Sequence, residues 1–534
     1  MHPTSEKTFY VTTPIYYVND VPHIGHAYTT VAADVIARYK RLAGYRVFFL
    51  TGTDEHGQKV EKAAQERGVD PKAHCDEMVK RFQSLWQRLN ISNNDFIRTT
   101  EDRHKRVVQK ILQDLYDRGE IYRASYDGWY CVPCERFWTE KDLVEGHCPD
   151  CHRPVNEISE SNYFFRMNRY QSWLIQHVEG HERFILPTSR RNEILGFLRN
   201  PLEDLCISRP KKRLSWGIEI PFDRDYVTYV WFDALINYIS AIGYGTENGA
   251  FSHLWPEAVH LIGKDILTTH TVYWPTMLAG ALLTPPKMVF AHGWWTIEGK
   301  KMSKSLQNVV EPNRLIDLYG VDAVRYFLMR EVPFGLDGDF SHSAMVHRIN
   351  SDLANDLGNL FSRTLAMVLK YFEGVIPTAS VPQEIDRRLQ EGYERALSQV
   401  SQQMEDLAFN KALGFLWEFI NACNKYIDES APWALAKADK DRPRLGTVLY
   451  NVLEGLRLVA LPLAAFMPST SEKMWSQMGL DRKIWESNLK TDGIWGGLKP
   501  GGKVLKPAPL FPRLDPTKIA VESTEREGLA DKQA

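Results

Sequence analysis

The chain opens with a strand, a helix and a second, wholly apolar strand, and this order constrains the fold more than any other feature. Residues 9–12 form a short β-prone segment, and a loop that contains Pro14 is expected after it. From Ile24, apolar side chains recur at three- and four-residue steps as far as Leu42. Residues 47–50 form a continuous apolar run, which is typical of a strand buried on both faces of a parallel sheet. A βαβ unit of this kind predicts an α/β fold with a doubly wound sheet.

The rest of the chain divides into an interrupted sheet and a helical part. Further parallel strands are predicted at 226–232, 258–262 and 288–291. The stretch 119–225 holds clustered cysteines and scattered aromatic residues, so we interpret it as an insertion between two halves of one α/β domain. After about residue 350 the strand signal stops. Long amphipathic segments at 352–372, 384–404, 410–427 and 444–467 predict a helix bundle.

Composition excludes several classes of protein. The hydrophobic fraction of 44% and the charged fraction of 25% are those of a globular chain, not a disordered one. Lys and Arg total 65 and Asp and Glu total 67, so a wholly basic nucleic-acid coat protein is excluded, although a local basic face is not. No run approaches the roughly 20 apolar residues of a membrane span. The first residues lack an apolar core, so we expect no secretory signal.

Four of the seven cysteines form a metal-binding pattern. Cys131 and Cys134 make one CxxC pair, Cys148 and Cys151 make another, and 13 residues separate the pairs. Two such knuckles supply four thiolates to one tetrahedral zinc ion, and a closed ligand set predicts a structural role. A chance group of buried thiols is a poor explanation for four cysteines within 21 positions. The pattern also predicts a reducing compartment, and hence a cytoplasmic protein.

Two short motifs suit phosphate binding. His23, Gly25 and His26 lie where the first strand's loop enters its helix, and helix N-termini attract anions. Lys301 and Lys304 belong to the run 301–305, whose clustered ammonium groups suit a polyphosphate and whose small serines suit a moving loop. Taken separately, the histidines could be ordinary loop residues and the lysines a solvated surface run. Both motifs are predicted near the carboxyl ends of parallel strands, where such sheets bind ligands.

These two motifs, about 275 residues apart, resemble the signature pair of the class I aminoacyl-tRNA synthetases. Flanking segments narrow the resemblance to the methionyl-tRNA synthetases, from about residue 8 to about 515; they are 13–19, 52–57, 229–234 and 262–266. The resemblance implies activation of L-methionine by ATP, with Mg²⁺ on the polyphosphate, and transfer of methionine to the terminal adenosine of tRNA(Met), including initiator tRNA. It also implies that His23, His26, Lys301 and Lys304 are catalytic. The implied ATP-binding residues are these four together with Gly25, Lys264 and Asp265.

The resemblance also implies a methionine pocket and an anticodon site. Asp54 ends the second strand and is the expected partner of the methionine ammonium group, and His270 could donate a hydrogen bond to the thioether sulfur. By periodicity alone Trp231 and Tyr238 would be core residues. The implied pocket is Ile15, Tyr17, Asp54, Trp231, Ala234, Leu235, Tyr238, Ile266 and His270. The implied anticodon residues, which spacing alone would describe as a polar helix face and a core tryptophan, are Asn355, Asn359, Arg363 and Trp433.

The expected architecture is a Rossmann-like catalytic domain with a zinc-knuckle insertion, followed by an all-α anticodon-binding bundle. The chain stops soon after Arg513, without the C-terminal tRNA-binding barrel of some family members, so we expect a monomer. The expected segments are 1–118 and 226–296 for the two halves of the catalytic domain, 119–225 for the insertion, 297–350 for the mobile loop and stem-contact region, 351–515 for the bundle, and 516–534 for a polar, disordered tail.

Two other interpretations compete with this one. The first is another class I synthetase, but the roughly 107 residues of 119–225 leave little room for the editing domain of the valine, isoleucine and leucine enzymes. A cysteine enzyme would need its zinc ligands in the amino-acid pocket. The second is a non-catalytic RNA-binding module, which two intact signature motifs disfavour. Exchange of pyrophosphate into ATP with a panel of amino acids separates the three.

Overall fold

The computed structural model describes residues 7–19, 21–131, 136–138, 140–149, 151–247, 249–297, 300–301 and 310–517. Its strands, numbered along the chain, are β1 (Thr8–Tyr17), β2 (Arg46–Asp54), β3 (Asp95–Arg98), β4 (Ile121–Cys131), β5 (Arg136–Trp138), β6 (Asn156–Phe165), β7 (Ile185–Leu186), β8 (Leu205–Cys206), β9 (Ser208–Pro210), β10 (Glu219–Ile220), β11 (Asp223–Thr228), β12 (Ala258–Gly263), β13 (Met288–His292), β14 (Trp295–Ile297), β15 (Lys300–Lys301) and β16 (Gly338–Asp339).

The α-helices are α1 (Ile24–Leu42), α2 (Gln58–Glu66), α3 (Pro71–Arg88), α4 (Asp102–Asp117), α5 (Gln171–Gly180), α6 (Thr188–Phe197), α7 (Val230–Leu235), α8 (Asn237–Ser240), α9 (Phe251–Leu254), α10 (Trp274–Gly280), α11 (Pro312–Tyr319), α12 (Val321–Arg330), α13 (His342–Arg348), α14 (Leu360–Phe372), α15 (Glu384–Glu405), α16 (Phe409–Ser430), α17 (Pro432–Leu435), α18 (Arg442–Phe466), α19 (Pro468–Gln477) and α20 (Leu489–Asp492). Two segments are π-helical, Thr269–Tyr273 and Ile349–Asn359. Single 3₁₀ turns are Glu140–Asp142, Met167–Tyr170, Trp255–Glu257, Lys264–Ile266, Asp439–Asp441 and Ile484–Glu486.

A parallel sheet forms the centre of the first part of the chain, in the order β3-β2-β1-β12-β13-β7. The chain leaves β1 toward β2 on one side and later returns to β12 on the other, pairing Tyr10 with Ala258. The carboxyl ends of β1 and β12 therefore flank the crevice in which doubly wound sheets bind ligands. The predicted doubly wound fold is confirmed.

Two strand predictions need correction. Strand β1 continues through Pro14, which we expected in a loop, and its register against β2 shifts between Thr12 and Ile15. Such a shift accommodates a residue without a backbone N–H. The predicted parallel strand 226–232 is wrong: β11 pairs antiparallel with β9 and β10, and α7 follows from Val230. Apolar side chains are buried in a parallel and in an antiparallel sheet alike, so local hydrophobicity did not distinguish the two arrangements.

The segment between α4 and β11 contains a second, antiparallel sheet in the order β5-β4-β6-β8. Within the same segment, β7 pairs parallel with β13 and so completes the edge of the central sheet. The inserted chain is thus attached to the catalytic sheet by a shared edge as well as by its two ends. This attachment fixes the antiparallel sheet relative to the central one.

The helical part follows the predicted pattern closely. Predicted helices at 384–404, 410–427 and 444–467 correspond to α15, α16 and α18. The helix Asp439–Phe466 is apolar and long enough to cross a bilayer, but its apolar stretch is entirely buried in the protein. It is the central helix of the bundle, and α1 of the α/β part packs against it. One apolar core therefore runs from one face of the sheet into the bundle.

Candidate functional site

The N-terminus of α1 places the first phosphate motif at the carboxyl end of β1. His23 caps the helix: its Nδ1 accepts from the backbone N–H of Gly25 at 3.1 Å, and its own N–H donates to Nδ1 of His26 at 3.2 Å. A Cβ at Gly25 would lie 2.9 Å from the His23 ring, so the glycine allows this close approach. The structure thus brings His23, Gly25 and His26 together on the first turn.

The two histidine rings stack with their centroids 3.8 Å apart. Burial, together with the neighbouring His23, holds the pKa of His26 well below its usual range. Since Nδ1 of His26 accepts a hydrogen bond, its proton resides on Nε2. Neutral His26 is therefore a hydrogen-bond donor at Nε2 without a net charge.

The second motif begins on a hairpin next to this helix. Strands β14 and β15 pair antiparallel, with Thr296 opposite Lys301. Residues 302–309 lie outside the described residues, so Lys304 and the side chain of Lys301 are not placed. The carbonyl of Val310, directly after the loop, accepts from the N–H of Ile24 at 3.2 Å. The far end of the lysine loop therefore contacts the first turn of α1.

A cluster at the end of β12 contains the predicted ATP residues Lys264 and Asp265. The Lys264 ammonium lies 2.6 Å from Asp337 Oδ2 and 4.2 Å from the centroid of the Trp294 ring. The indole of Trp294 donates to Asp265 Oδ1 at 3.1 Å. Sequence reasoning missed Asp337 and Trp294, because no local pattern joins positions so far apart along the chain. The Asp337 carboxylate balances Lys264, so this lysine offers less charge to a phosphate than its residue type suggests.

Aromatic and acidic groups converge near the carboxyl ends of β1 and β2. Asp54 ends β2, is buried, and pairs in register with Tyr17 of β1. Trp231 meets Tyr17 edge to face at 6.2 Å and His270 at 6.5 Å between ring centroids. Burial, and to a lesser degree the Asp54 carboxylate, raises the pKa of Tyr238. Of the other predicted pocket residues, Ala234 and Leu235 are buried and Ile15 and Ile266 are half-buried.

The hydrogen bonds of His270 change its expected role. Its Nδ1 donates to the carbonyl of Ile266 at 2.9 Å, and its Nε2 lies 2.8 Å from the hydroxyl of Tyr238. Burial lowers the pKa of His270 to about 4, so the ring is neutral and Nε2 accepts from the tyrosine. Both nitrogens are occupied, and the expectation that His270 donates to a sulfur is wrong. The ring can offer a thioether only its face or edge.

Three cysteines of the zinc pattern lie together in the insertion. The sulfurs of Cys131, Cys148 and Cys151 are within 4.8 Å of one another, and Cys131 and Cys151 are 3.5 Å apart. Tetrahedral zinc–thiolate geometry requires sulfurs about 3.8 Å apart, which these positions fit. Cys134 lies outside the described residues. The three thiols can hold a metal, and they stand far along the chain from the phosphate motifs.

The predicted anticodon residues lie on the helical part. Asn355 and Asn359 share the π-helical segment, and the Nδ2 of Asn359 donates to Oδ1 of Asn355 at 3.1 Å. Arg363 extends to Asn424 at 3.1 Å. Arg513, which sequence reasoning did not assign, donates to Asn355 at 3.2 Å from 158 residues away.

Trp433 follows Ala431, whose φ of 43° turns the chain sharply, and is 48% exposed. The core explanation for this tryptophan is therefore excluded, and its ring is accessible to a stacking partner.

Known proteins resemble this chain in sequence and in structure. A family model described as tRNA synthetases class I (M) matches residues 9–159 and 153–365, and one for the anticodon binding domain of methionyl tRNA ligase matches 376–528. The methionine–tRNA ligase of Caldanaerobacter subterraneus is 53% identical over 516 residues, which cover 96% of this chain and 80% of that protein. That of Clostridium perfringens is 52% identical, with coverage of 96% and 78%.

A solved structure has the same fold. Mycobacterium tuberculosis methionyl-tRNA synthetase in complex with methionyl-adenylate superposes with a TM-score of 0.91 at 41% identity, covering 95% of this chain and all of that one. Its apo form gives a TM-score of 0.86 at 38% identity. The family models, the sequence identity and the structural superposition together show that the chain belongs to the class I methionyl-tRNA synthetases.

Proposed function

We propose that this protein is a methionine–tRNA ligase, which converts L-methionine and ATP to methionyl-adenylate and pyrophosphate and then esterifies the 3′-terminal adenosine of tRNA(Met), including the initiator species. The observation that carries the proposal is the hydrogen bond from Ile24 to Val310, which joins the histidine turn to the end of the lysine loop beside the crevice of the parallel sheet. This contact supports a single ligand position for the phosphate-binding groups of both halves of the sheet.

In the first step, the methionine carboxylate attacks the α-phosphorus of ATP and pyrophosphate leaves. The carboxylate is already ionised at neutral pH, so no general base is needed, and catalysis depends on positioning and charge stabilisation. His23 and His26 bind the phosphates through N–H groups, and Lys301 and Lys304 supply positive charge. Mg²⁺ bound to the polyphosphate neutralises part of its charge. Asp265 accepts hydrogen bonds from the ribose hydroxyls, with Lys264 held beside it.

The methionine site combines a carboxylate with an aromatic wall. Asp54 receives the ammonium group, while Tyr17, Trp231 and Tyr238 surround the side chain and His270 presents its ring to the sulfur. Neutral His270 suits an uncharged thioether, because a buried cation there would have no partner. The remaining pocket residues are Ile15, Ala234, Leu235 and Ile266.

We propose one structural zinc ion bound by Cys131, Cys134, Cys148 and Cys151, and an anticodon site formed by Asn355, Asn359, Arg363 and Trp433. The amides and the guanidinium provide base-edge contacts and the indole provides a stacking surface. The segment boundaries given above, a monomeric state and a cytoplasmic location remain predictions of the family resemblance. Light scattering of the purified protein tests the oligomeric state.

Exchange of labelled pyrophosphate into ATP tests the proposed activity, with methionine and a panel of other amino acids. We expect exchange with methionine and at most weak exchange with the panel. A protein that exchanges faster with another amino acid, or with none, would refute the assignment.

The Lys304→Ala variant tests the lysine loop in the same assay. Because the ammonium acts where negative charge develops, adenylate formation should fall strongly while methionine affinity changes little. Unchanged single-turnover adenylation would remove Lys304 from the mechanism. Lys287→Ala is a control on an exposed lysine paired with Glu257.

A further inference from the structure

A buried carboxylate lies behind the proposed methionine pocket and is not part of it. Asp233 in α7 has no exposed surface. Its Oδ2 lies 2.6 Å from Nδ1 of His56, and its Oδ1 lies 2.7 Å from Nε2 of His104. His104 continues the network to the hydroxyl of Ser240 in α8 at 2.9 Å. Burial would raise the pKa of Asp233, but the two imidazoles outweigh it and lower the pKa, so the group is a carboxylate.

The partners of Asp233 come from the elements that form the pocket. His56 stands two residues beyond Asp54, the proposed ammonium partner, on the chain that leaves β2. Asp233 stands two residues beyond Trp231 in the short helix α7, so the two side chains project about 200° apart around the helix axis. The carboxylate therefore holds α7 from the side opposite Trp231. Six residues of helix have little stability of their own, so external contacts must fix the orientation of α7.

We propose that Asp233, bridged by His56 and His104, is a positioning residue that sets the separation between the acidic and aromatic walls of the methionine pocket. This inference rests on the proposed function. Loss of either hydrogen bond lets α7 rotate or shift. Methionine can then no longer contact Trp231 and Asp54 simultaneously in its best position, and its affinity falls. The proposed ATP residues belong to α1, the end of β12 and the lysine loop, not to α7, so the KM for ATP should not change.

The Asp233→Asn variant tests the proposal by pyrophosphate exchange. The amide can accept from only one imidazole and turns a donor toward the other, so KM for methionine should rise about tenfold while kcat and KM for ATP change less than about twofold. The matched control is Asp386→Asn in α15, another buried carboxylate, which accepts from Tyr426 and Arg444 in the bundle. It should lose stability without any change in KM for methionine.

A second pair of variants remains informative if Asp233→Asn does not fold. His104→Ala removes one donor, whereas His104→Gln retains an N–H near the Nε2 position. KM for methionine should rise in the first variant and return toward the wild-type value in the second. A folded Asp233→Asn or His104→Ala protein with wild-type KM for methionine, or with equal increases for methionine and ATP, would overturn the proposal. Absence of methionine-dependent exchange in the wild type would instead refute the proposed function.

Discussion

At the scale of single residues, Trp433 and Trp417 differ in burial although both belong to the helical part. Trp433 is 48% exposed and Trp417 is 5% exposed, with its indole donating to the carbonyl of Asp352. The Trp433→Ala variant should therefore keep its stability within about 0.5 kcal/mol. If the ring stacks on an anticodon base, kcat/KM for tRNA should fall roughly 5- to 150-fold, as expected for about 1–3 kcal/mol.

Aminoacylation kinetics, the pyrophosphate exchange rate and a melting curve on one preparation check this prediction. Exchange needs no tRNA and should stay at the wild-type rate. Trp417→Ala serves as the buried control and should lose about 3–5 kcal/mol of stability. A stable Trp433→Ala protein that charges tRNA with wild-type kcat/KM would refute the anticodon role.

His270 predicts a pH dependence of stability. Burial in the folded protein holds the pKa of His270 at about 4, below the usual imidazole value of about 6.5, so the unfolded chain takes up this proton at higher pH. The contribution of neutral His270 to the free energy of unfolding is complete above about pH 6.5. It is lost progressively as the pH falls toward 4. Between pH 7 and pH 5 the loss is about 2 kcal/mol. Urea unfolding at both values should show a smaller pH difference for His270→Gln than for the wild type; equal differences would contradict the shift.

At the scale of structural elements, three described cysteines bring the end of β4 next to the turn that carries Cys148 and Cys151. Ligation in an unfolded chain is weak, so the proposed zinc ion would contribute directly to the stability of this part of the insertion. The Cys148→Ser variant should release the metal, because three thiolates bind zinc less well than four. Amino-acid activation should suffer less than tRNA aminoacylation, since Cys131, Cys148 and Cys151 belong to neither of the two apolar cores that pack against the central sheet.

Zinc content by elemental analysis checks this prediction, with Cys206→Ser as the control. Cys206 is buried in β8 of the same antiparallel sheet but belongs to no cysteine pair, so its variant should retain one zinc per chain. Full zinc occupancy in Cys148→Ser would rule out the assigned site.

At the scale of the whole molecule, Arg325 of α12 connects the sheet to the bundle. Its guanidinium is fully buried, lies 2.7 Å from Asp34 of α1, and donates to the carbonyls of Leu89, Ala465 and Phe466 at 2.9–3.0 Å. The Arg325→Met variant would leave three buried carbonyls without this donor and remove one partner of a buried charge. We expect a loss of about 3–5 kcal/mol.

Calorimetric unfolding of Arg325→Met should show a lower melting temperature for the sheet and the bundle together, because one core is shared by both. Arg387→Met is the surface control: Arg387 is 63% exposed beside Glu384 on α15, so its loss should change stability by less than about 1 kcal/mol. A wild-type melting temperature in Arg325→Met would show that the buried contact does not stabilise the assembly.

Much of the architecture was predictable because its signals are local. The apolar period of α1, the continuous run in β2 and the amphipathic helices α15, α16 and α18 each lie within one segment, and tertiary packing only confirmed them. The cysteine spacing predicted a group of metal-ligand residues for the same reason, since each CxxC pair brings two ligands together within one short segment.

Contacts between segments that are distant in the sequence were decided only by the tertiary structure. The sequence of residues 226–232 is compatible with a parallel or an antiparallel strand. Only the pairing of β11 with β9 and β10 shows that the strand is antiparallel. The acceptor role of His270 depends on Tyr238, the charge balance of Lys264 on Asp337, and the anchoring of α7 on His56 and His104. The sequence by itself determined which residue types could perform the chemistry, because charge and hydrogen-bonding capacity belong to each side chain. Burial and long-range hydrogen bonds determined their protonation and orientation, because both depend on neighbours that only the folded chain brings together.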